Sequence, residues 1–414
     1  DTLNASSVIS GYDSLWIVQF ENSDDAAKAY DYYSTRAGVE FVEEDKLLGT
    51  SDPVIVEQNT DIYNETKEHL SWGPAHAGFD KFNQAITVSA PAINDTVVAV
   101  VDTGVDSDHP FLEGRVIPTR INTSSSGIRN DSEDDQGHGT RIAGIIVDST
   151  LDNVYIKPYK VMDKWGKGSV ITVAAGINCA VRDGVDVINI SIGFEEDSNV
   201  LKAAIRNAEQ NDIVVTGAAG NDASDTIYYP ASYSSVLKVT AINKENVLGN
   251  FSSYGNGVDI AAPGVDIVTT KMGGGYVTVK GTSFAAPFVA AAAASLISVE
   301  PHASAEDIKD IILSCAVEVS EHHTAEKFGK GVLLMPDYDP EVIHNGKAET
   351  PYFSHSPAYY TENINLEIFC DEPDSVIYYT TDKSVPSKDN PTAKIYDGNP
   401  VVLSRTTVLL AVAY

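Results

Sequence analysis

Three things are scarce in this sequence. Cysteine is the first: Cys179, Cys315 and Cys370 are the only three in 414 residues. They are far apart, odd in number and without metal-ligand spacing, which excludes a disulfide scaffold. Cys179 and Cys315 fall in apolar helical patterns, where a thiol serves as a small buried hydrophobe. Basic residues are the second: 28 Lys and Arg face 59 Asp and Glu, a formal net charge of −31. Nothing in that balance would neutralise phosphates, so nucleic acid is excluded as a partner. The charge suits a soluble protein working outside cells or in salt. Long apolar runs are the third. The longest, 284–297, is Ala-rich, interrupted by Pro287 and too short for a bilayer. It reads as a buried core helix, and no transmembrane segment is expected. The chain opens at Asp1 with neither Met nor an apolar leader, which reads as a trimmed N-terminus.

What is present is enough for a globular protein. Hydrophobic residues make up 43%, so real cores are expected and disorder is not. The length allows two or three domains. Residues 14–46 read strand, helix, strand. Leu15 to Phe20 is apolar, Ser23 and Asp24 can cap a helix, and Val39 to Asp45 alternates apolar and acidic. From Thr96 to about 340 short Val/Ile runs alternate with helical segments, at 97–101, 155–161, 185–192, 213–216, 236–241 and 258–262. Runs buried on both sides and followed by Gly or Asp are the pattern of parallel strands in an α/β sheet. Beyond about 345 the composition turns to Tyr, Thr, Pro and Asn, with strands at 377–381 and 407–413 and turns at Asp389-Asn390-Pro391 and Asp397-Gly398-Asn399-Pro400. That is a small all-β module ending on its last strand, so the natural chain is expected to continue beyond Tyr414.

In such sheets the chemistry lies at the C-terminal ends of the strands. Three motifs fall there. Asp102-Thr103-Gly104 ends the first run with a carboxylate. Gly137-His138-Gly139-Thr140 opens an apolar helix with an imidazole. Gly281-Thr282-Ser283-Phe284-Ala285-Ala286-Pro287 puts a hydroxyl at the N-terminus of the buried helix, where backbone N–H groups and the dipole favour an oxyanion. A serine nucleophile needs a base, and the base needs an acid to hold its tautomer. A fourth segment, Gly217-Ala218-Ala219-Gly220-Asn221, offers a side-chain amide that could serve with the Ser283 N–H as oxyanion donors. Each motif has a plain reading too. Ser283 can be a helix cap, His138 a structural histidine and Gly220-Asn221 a turn. Asp-Thr-Gly also marks aspartic proteases, but these need two such carboxylates and no second copy occurs.

The four motifs in this order resemble the subtilase, or subtilisin-like, family of serine proteases over roughly residues 71–340. The resemblance implies Asp102 as orienting acid, His138 as general base and acid, Ser283 as nucleophile and Asn221 as oxyanion donor. It implies the fold class: an α/β, doubly wound, mostly parallel sheet, with a small α+β propeptide segment and a C-terminal all-β immunoglobulin-like module. The C-terminal segment is similar to the domain that ends chitobiases and hexosaminidases. The expected boundaries are 1–51 for a partial inhibitor-type propeptide, 52–70 for a linker or N-terminal arm, 71–345 for the catalytic domain and 346–414 for the β module.

By the same resemblance, the propeptide tail lies in the active-site cleft and is cut near Thr50, Ser51 and Asp52, with Leu47 or Leu48 filling an apolar pocket four residues upstream. Substrate should pair with Ser191-Ile192-Gly193. The pocket for the residue before the cut should lie between Ala218-Ala219-Gly220 and Tyr228. Tyr228 stands where much of the family has a small residue, so small side chains are expected there. Two departures matter. The calcium loop common in the family is deleted after Ile146, which argues against structural calcium at that place, and the resemblance implies no cofactor for the chemistry. The acidic run Asp131-Ser132-Glu133-Asp134-Asp135 could hold a cation, favour basic groups two residues before the cut, or be a solvated loop. Arg141 replaces a histidine usual in the family. The expected protein is a secreted or cell-surface endopeptidase made as a self-processed zymogen. Its partners are protein or peptide substrates, its own propeptide and, through the C-terminal module, the cell wall. The alternatives are a catalytically silent pseudo-protease acting as a surface scaffold, and a narrow processing enzyme.

Overall fold

The computed structural model describes residues 7–10, 16–49, 69–89, 93–119, 121–124, 131–301, 303–319, 324–338, 351–354, 364–370, 375–381, 386, 390–403 and 409–413. The chain divides into two compact units, 1–337 and 338–414.

The first unit opens with an antiparallel pair, β1 (Ser7–Ser10) and β2 (Trp16–Gln19), then α1 (Ser23–Ser34). Asn22, rather than Ser23, caps α1, accepting from the Asp25 N–H at 2.9 Å. Val39 to Asp45 is not the strand that its alternation predicts. Ladder pairing begins only at β3 (Leu47–Gly49). The acidic side chains before it bind elsewhere, as described below. Two helices, α2 (Gly73–His76) and α3 (Phe79–Ser89), lead into the sheet.

The sheet and its helices then follow in chain order. These are β4 (Thr96–Asp102), α4 (His138–Ser149), β5 (Val154–Lys160), the short β6 (Lys167–Ser169), α5 (Val170–Arg182), β7 (Val187–Ile190), α6 (Asn199–Gln210), β8 (Val214–Ala218), β9 (Val236–Ile242) and β10 (Ile260–Pro263). A hairpin of β11 (Ile267–Thr270) and β12 (Tyr276–Val279) precedes α7 (Ala286–Val299) and α8 (Ala305–Ser314). The six main strands run parallel in the order β10-β9-β8-β7-β4-β5. All six Val/Ile runs therefore form the sheet expected of them. Order reverses at β4, whose neighbours β5 and β7 lie on opposite sides. A crevice opens at such a reversal, beyond the strand ends.

Burial on both faces explains the apolar runs. Ala99, Val101, Ile188, Ile190 and Val215 pack on one face against α5 and α6. On the other, α4 and α7 cross the sheet. The window Thr282–Val299 is long and apolar enough for a membrane by composition, yet 94% of it is buried in this core. Cys179 is buried in α5, while Cys315 caps the end of α8 and is only half-buried.

The second unit contains only strands among its described residues. Ile377–Thr380 pairs with both Lys394–Ile395 and Leu410–Ala413, and Ile364–Leu366 pairs with Val401–Leu403, all antiparallel. Leu366, Ile368, Ile377 and Ala413 form its core.

Candidate active site

Asp102 is the last residue of β4 and is fully buried. Both its carboxylate oxygens reach Nδ1 of His138, at 2.8 and 2.9 Å. One also accepts the Thr103 N–H at 2.7 Å. His138 begins α4 and is 1% exposed. Gly139 makes this approach possible. A Cβ there would sit 2.1 Å from the Gly104 carbonyl oxygen and 3.3 Å from Asp102 Cβ. Only a glycine lets the helix seat on the strand end.

Helix α4 is held at its start by Asp134. One carboxylate oxygen accepts the N–H groups of Gln136 (3.0 Å) and Gly137 (2.8 Å), and the other takes the Thr140 N–H (3.0 Å) and hydroxyl (2.6 Å). Gln136 Oε1 accepts the His138 N–H at 2.7 Å. The remaining acidic residues of this loop are likewise engaged. Asp131 accepts from the Glu133 N–H, Glu133 binds Ser107, and Asp135 pairs with Lys160. No group of three or more His, Cys, Asp or Glu able to hold a metal ion occurs among the described residues. The carboxylates of this loop are thus taken up by backbone N–H groups, hydroxyls and the Lys160 ammonium.

Ser283 lies in a 3₁₀ turn, Thr282–Phe284, that enters α7. It is 6% exposed, and the ring of its neighbour Phe284 stands 5.5 Å from the imidazole. Its hydroxyl donates to the Ser191 carbonyl at 2.9 Å, while the Ser191 hydroxyl donates to the Ser283 carbonyl at 2.8 Å. Behind Ser191 stands a buried chain: Asn189 Nδ2 donates to the Ser191 hydroxyl, and the Thr216 hydroxyl donates to Asn189 Oδ1. Asn221 is fixed by Thr282, whose N–H and hydroxyl both donate to its Oδ1. That leaves the amide nitrogen pointing away from Thr282.

The residues expected to line the pocket before the cut also come together. Phe194 and Tyr229 exchange backbone hydrogen bonds at 2.8 Å, and the Tyr228 N–H donates to the Ala219 carbonyl at 3.1 Å. A Cβ at Gly193 would stand 2.9 Å from Tyr228 Cβ, and one at Gly220 would stand 3.4 Å from Tyr228 Cδ1. The ring thus occupies the slot between Ser191-Ile192-Gly193 and Ala218-Ala219-Gly220. Its hydroxyl contacts Asp222 and, at 3.2 Å, Glu195. Burial and the adjacent Asp222 push the phenol upward, so it stays a neutral donor.

Within the first unit, the segment 41–49 packs beside β6 and the starts of α5 and α6. β3 pairs antiparallel with β6, Leu47 opposite Ser169 and Gly49 opposite Lys167. This partner is not Ser191-Ile192-Gly193, which carries no ladder of its own. Asp45 accepts the Ile171 N–H at 3.2 Å, in the first turn of α5. Glu43 accepts the Asn199 N–H at 2.7 Å, at the start of α6. Lys46 binds Glu196 at 2.6 Å, and Phe41 packs on the core. Carboxylates at helix N-termini satisfy free N–H groups and the dipole. Leu47 is 87% exposed, so it fills no pocket, and the Leu48 side chain lies outside what is described. Thr50, Ser51 and Asp52 also lie outside the described residues.

Sequence reasoning missed Asp134, Lys160 and the Thr216–Asn189–Ser191 chain. The signal was a polar residue inside an apolar run: Asn189 within 187–190 and Lys160 at the end of 154–160.

Comparison with known proteins places this geometry. The subtilase family model matches residues 94–331, and a model described as Fn3 associated matches 366–414. The chain is 37% identical over 251 residues to the cell wall-associated protease of Bacillus subtilis (strain 168), spanning 58% of this chain and 28% of that protein. It is 34% identical over 265 residues to subtilisin E of the same organism, covering 59% and 68% of the two chains. The subtilisin of Bacillus pumilus is 34% identical over 265 residues, covering 59% and 94%.

Proposed function

The chain belongs to the subtilase family, and from that premise we propose a serine endopeptidase that works through an acyl-enzyme on an Asp102–His138–Ser283 triad. The observation that carries this reading is the double contact of Asp102 with Nδ1 of a buried His138, at the same sheet end as Ser283 and Asn221. With Nδ1–H held by the carboxylate, Nε2 is the nitrogen that carries the acceptor lone pair. The Ser283 hydroxyl turns from the Ser191 carbonyl to the imidazole and gives its proton to Nε2 as its oxygen attacks the substrate carbonyl carbon. Charge collects on the carbonyl oxygen, where the Asn221 amide and the Ser283 N–H meet it. Collapse expels the amine, which takes the proton from His138. Water then repeats the sequence and frees the acid. The chemistry as written calls on no cofactor.

Small residues before the cut fit this site best, because Tyr228 already occupies the slot. The N-terminal segment serves as the intramolecular inhibitor of a zymogen. Its support is the β3–β6 pairing together with the Glu43 and Asp45 contacts to two helix N-termini. An extracellular or cell-surface setting agrees with a relative named as cell wall-associated. There the C-terminal module would act as a wall-proximal spacer.

A serine-directed organophosphonate tests the reading. It is expected to add one adduct, mapped to Ser283 by peptide mass spectrometry, and to abolish peptide hydrolysis. Ser283→Ala should take no label and lose many orders of magnitude in kcat. An unlabelled, inactive wild type would leave a binding scaffold as the better reading.

A further inference from the structure

Lys160 is the last residue of β5 and is 2% exposed. It is the register partner of Asp102 on the neighbouring strand. Lysine is almost never buried this far unless it is paired. Its ammonium donates to the Thr103 carbonyl at 2.5 Å and to Asp135 Oδ1 at 2.5 Å. The Asp135 carboxylate is itself 45% exposed.

Both contacts lead to the acid–base pair. Thr103 follows Asp102, donates its N–H to that carboxylate, and accepts the Gly139 N–H on its hydroxyl at 2.9 Å. Asp135 sits between Asp134, which holds the first turn of α4, and Gln136, which accepts the His138 N–H. The ammonium therefore ties the loop that carries the acid to the loop that delivers the base. We propose that Lys160 is a positioning residue for His138 and Asp102, acting through Thr103 and Asp135 and adding a fixed positive charge that opposes the imidazolium. The proposal rests on the protease reading above for its kinetic consequences only.

The charged groups on the strand ends, loop and helix that carry the imidazole are Asp102 facing it, Asp106 after β4, Asp134 and Asp135 on the entering loop, Arg141 in the first turn of α4, and Lys160 at the end of β5. Of these, Lys160 and Asp135 can be changed without removing the Asp102 contact. Lys160→Met deletes a positive charge and leaves Asp135 unpaired, which favours the imidazolium. Asp135→Asn deletes a negative charge and leaves the ammonium, which disfavours it. The two variants should therefore move the imidazole in opposite directions.

His138 is best titrated by NMR in the Ser283→Ala background, which avoids self-digestion and does not require catalysis. The expected result is an upward shift in Lys160→Met and a downward shift in Asp135→Asn, each of about half a pH unit or more. Shifts of the same sign, or none beyond about 0.1 unit, would overturn the proposal. Should Lys160→Met not fold, Asp135→Asn at its half-exposed site decides by the same criterion. In active protein the acid limb of kcat/KM should follow, with kcat for Lys160→Met down about tenfold, KM within about twofold, and partial recovery in Lys160→Arg. If Lys160 merely stabilised the fold, Lys160→Met would lower the melting temperature and leave the titration where it was. An inactive wild type would sink the protease reading and leave the NMR result standing by itself.

Discussion

Thr282 gives both its backbone N–H, at 2.8 Å, and its hydroxyl, at 3.0 Å, to the side-chain oxygen of Asn221. The residue before the proposed nucleophile thus orients the proposed oxyanion donor. Thr282→Val keeps the shape and the N–H but loses the hydroxyl, so the amide can turn. The expected loss is about tenfold in kcat with KM little changed. Asn221→Leu removes the donor itself, and should cost about a hundredfold or more, the scale known for a single oxyanion donor in this family. Steady-state kinetics on one peptide substrate measure both. Equal losses in the two variants would mean that Thr282 does more than orient Asn221.

Tyr228 should set the size of the residue before the cut. Its ring lies between Gly193 and Gly220, and its hydroxyl is held by Asp222 and Glu195. Tyr228→Ala empties that slot. A peptide library cut by wild type should show Ala, Ser and Thr before the scissile bond, and the variant should gain Phe and Leu by about tenfold or more in kcat/KM. Wild-type preference for Phe or Leu at that position would show that the ring moves aside.

Much of this was legible beforehand, and the reason differs by level. The six sheet strands could be read because burial on both faces demands continuous Val/Ile runs. The gathering of Asp102, His138, Ser283 and Asn221 at one end of the sheet could be expected because each motif falls at a strand end or helix start. Asp134 could not be singled out, because an acidic loop reads the same whether it caps a helix, binds a cation or faces water. Its four donors become visible only when α4 is in place. The run from Val39 to Asp45 misled for a related reason. Alternation of apolar and acidic residues fits a one-sided strand, but here Glu43 and Asp45 serve helix N-termini and Phe41 packs on the core.

His69 joins two parts of the first unit that the motifs ignore. Its Nε2 contacts the Asp80 carboxylate, and its Nδ1 lies 2.8 Å from the Asp148 carbonyl and 3.5 Å from the Asp148 carboxylate. That carboxylate also accepts the N–H groups of Leu70 and Ser71. Burial pulls the imidazole down, but Asp148 and Asp80 outweigh it and lift it to about 9. Burial also raises the Asp148 carboxyl, a cost that the clamp has to offset. A base raised on folding stabilises fully below its unfolded value, about 6.5 for histidine, and loses that contribution as pH climbs through the folded value. The melting temperature of wild type should therefore exceed that of His69→Gln by a constant margin from about pH 5 to 6.5, and the margin should close by about pH 10. A margin unchanged at the alkaline end would show that packing, rather than charge, accounts for it.

Arg141 offers the opposite sign. It lies in the first turn of α4 and is 8% exposed, yet its Nε and Nη1 are buried without a hydrogen-bond partner. Its guanidinium lies beside Gly137, where an added Cβ would stand 3.4 Å from Nη2. Buried guanidinium N–H groups that lack an acceptor cost more in desolvation than they return. Its carbonyl accepts from the Thr269 hydroxyl at 2.7 Å, and this contact survives any side-chain change. Arg141→Met keeps the aliphatic stem and the volume and removes the charge. The variant should be more stable by about 1 kcal/mol or more, read as a higher urea midpoint with an unchanged slope. A loss of stability would mean that the guanidinium has a partner in solution, and a dependence of that loss on salt or added anions would identify it as an anion.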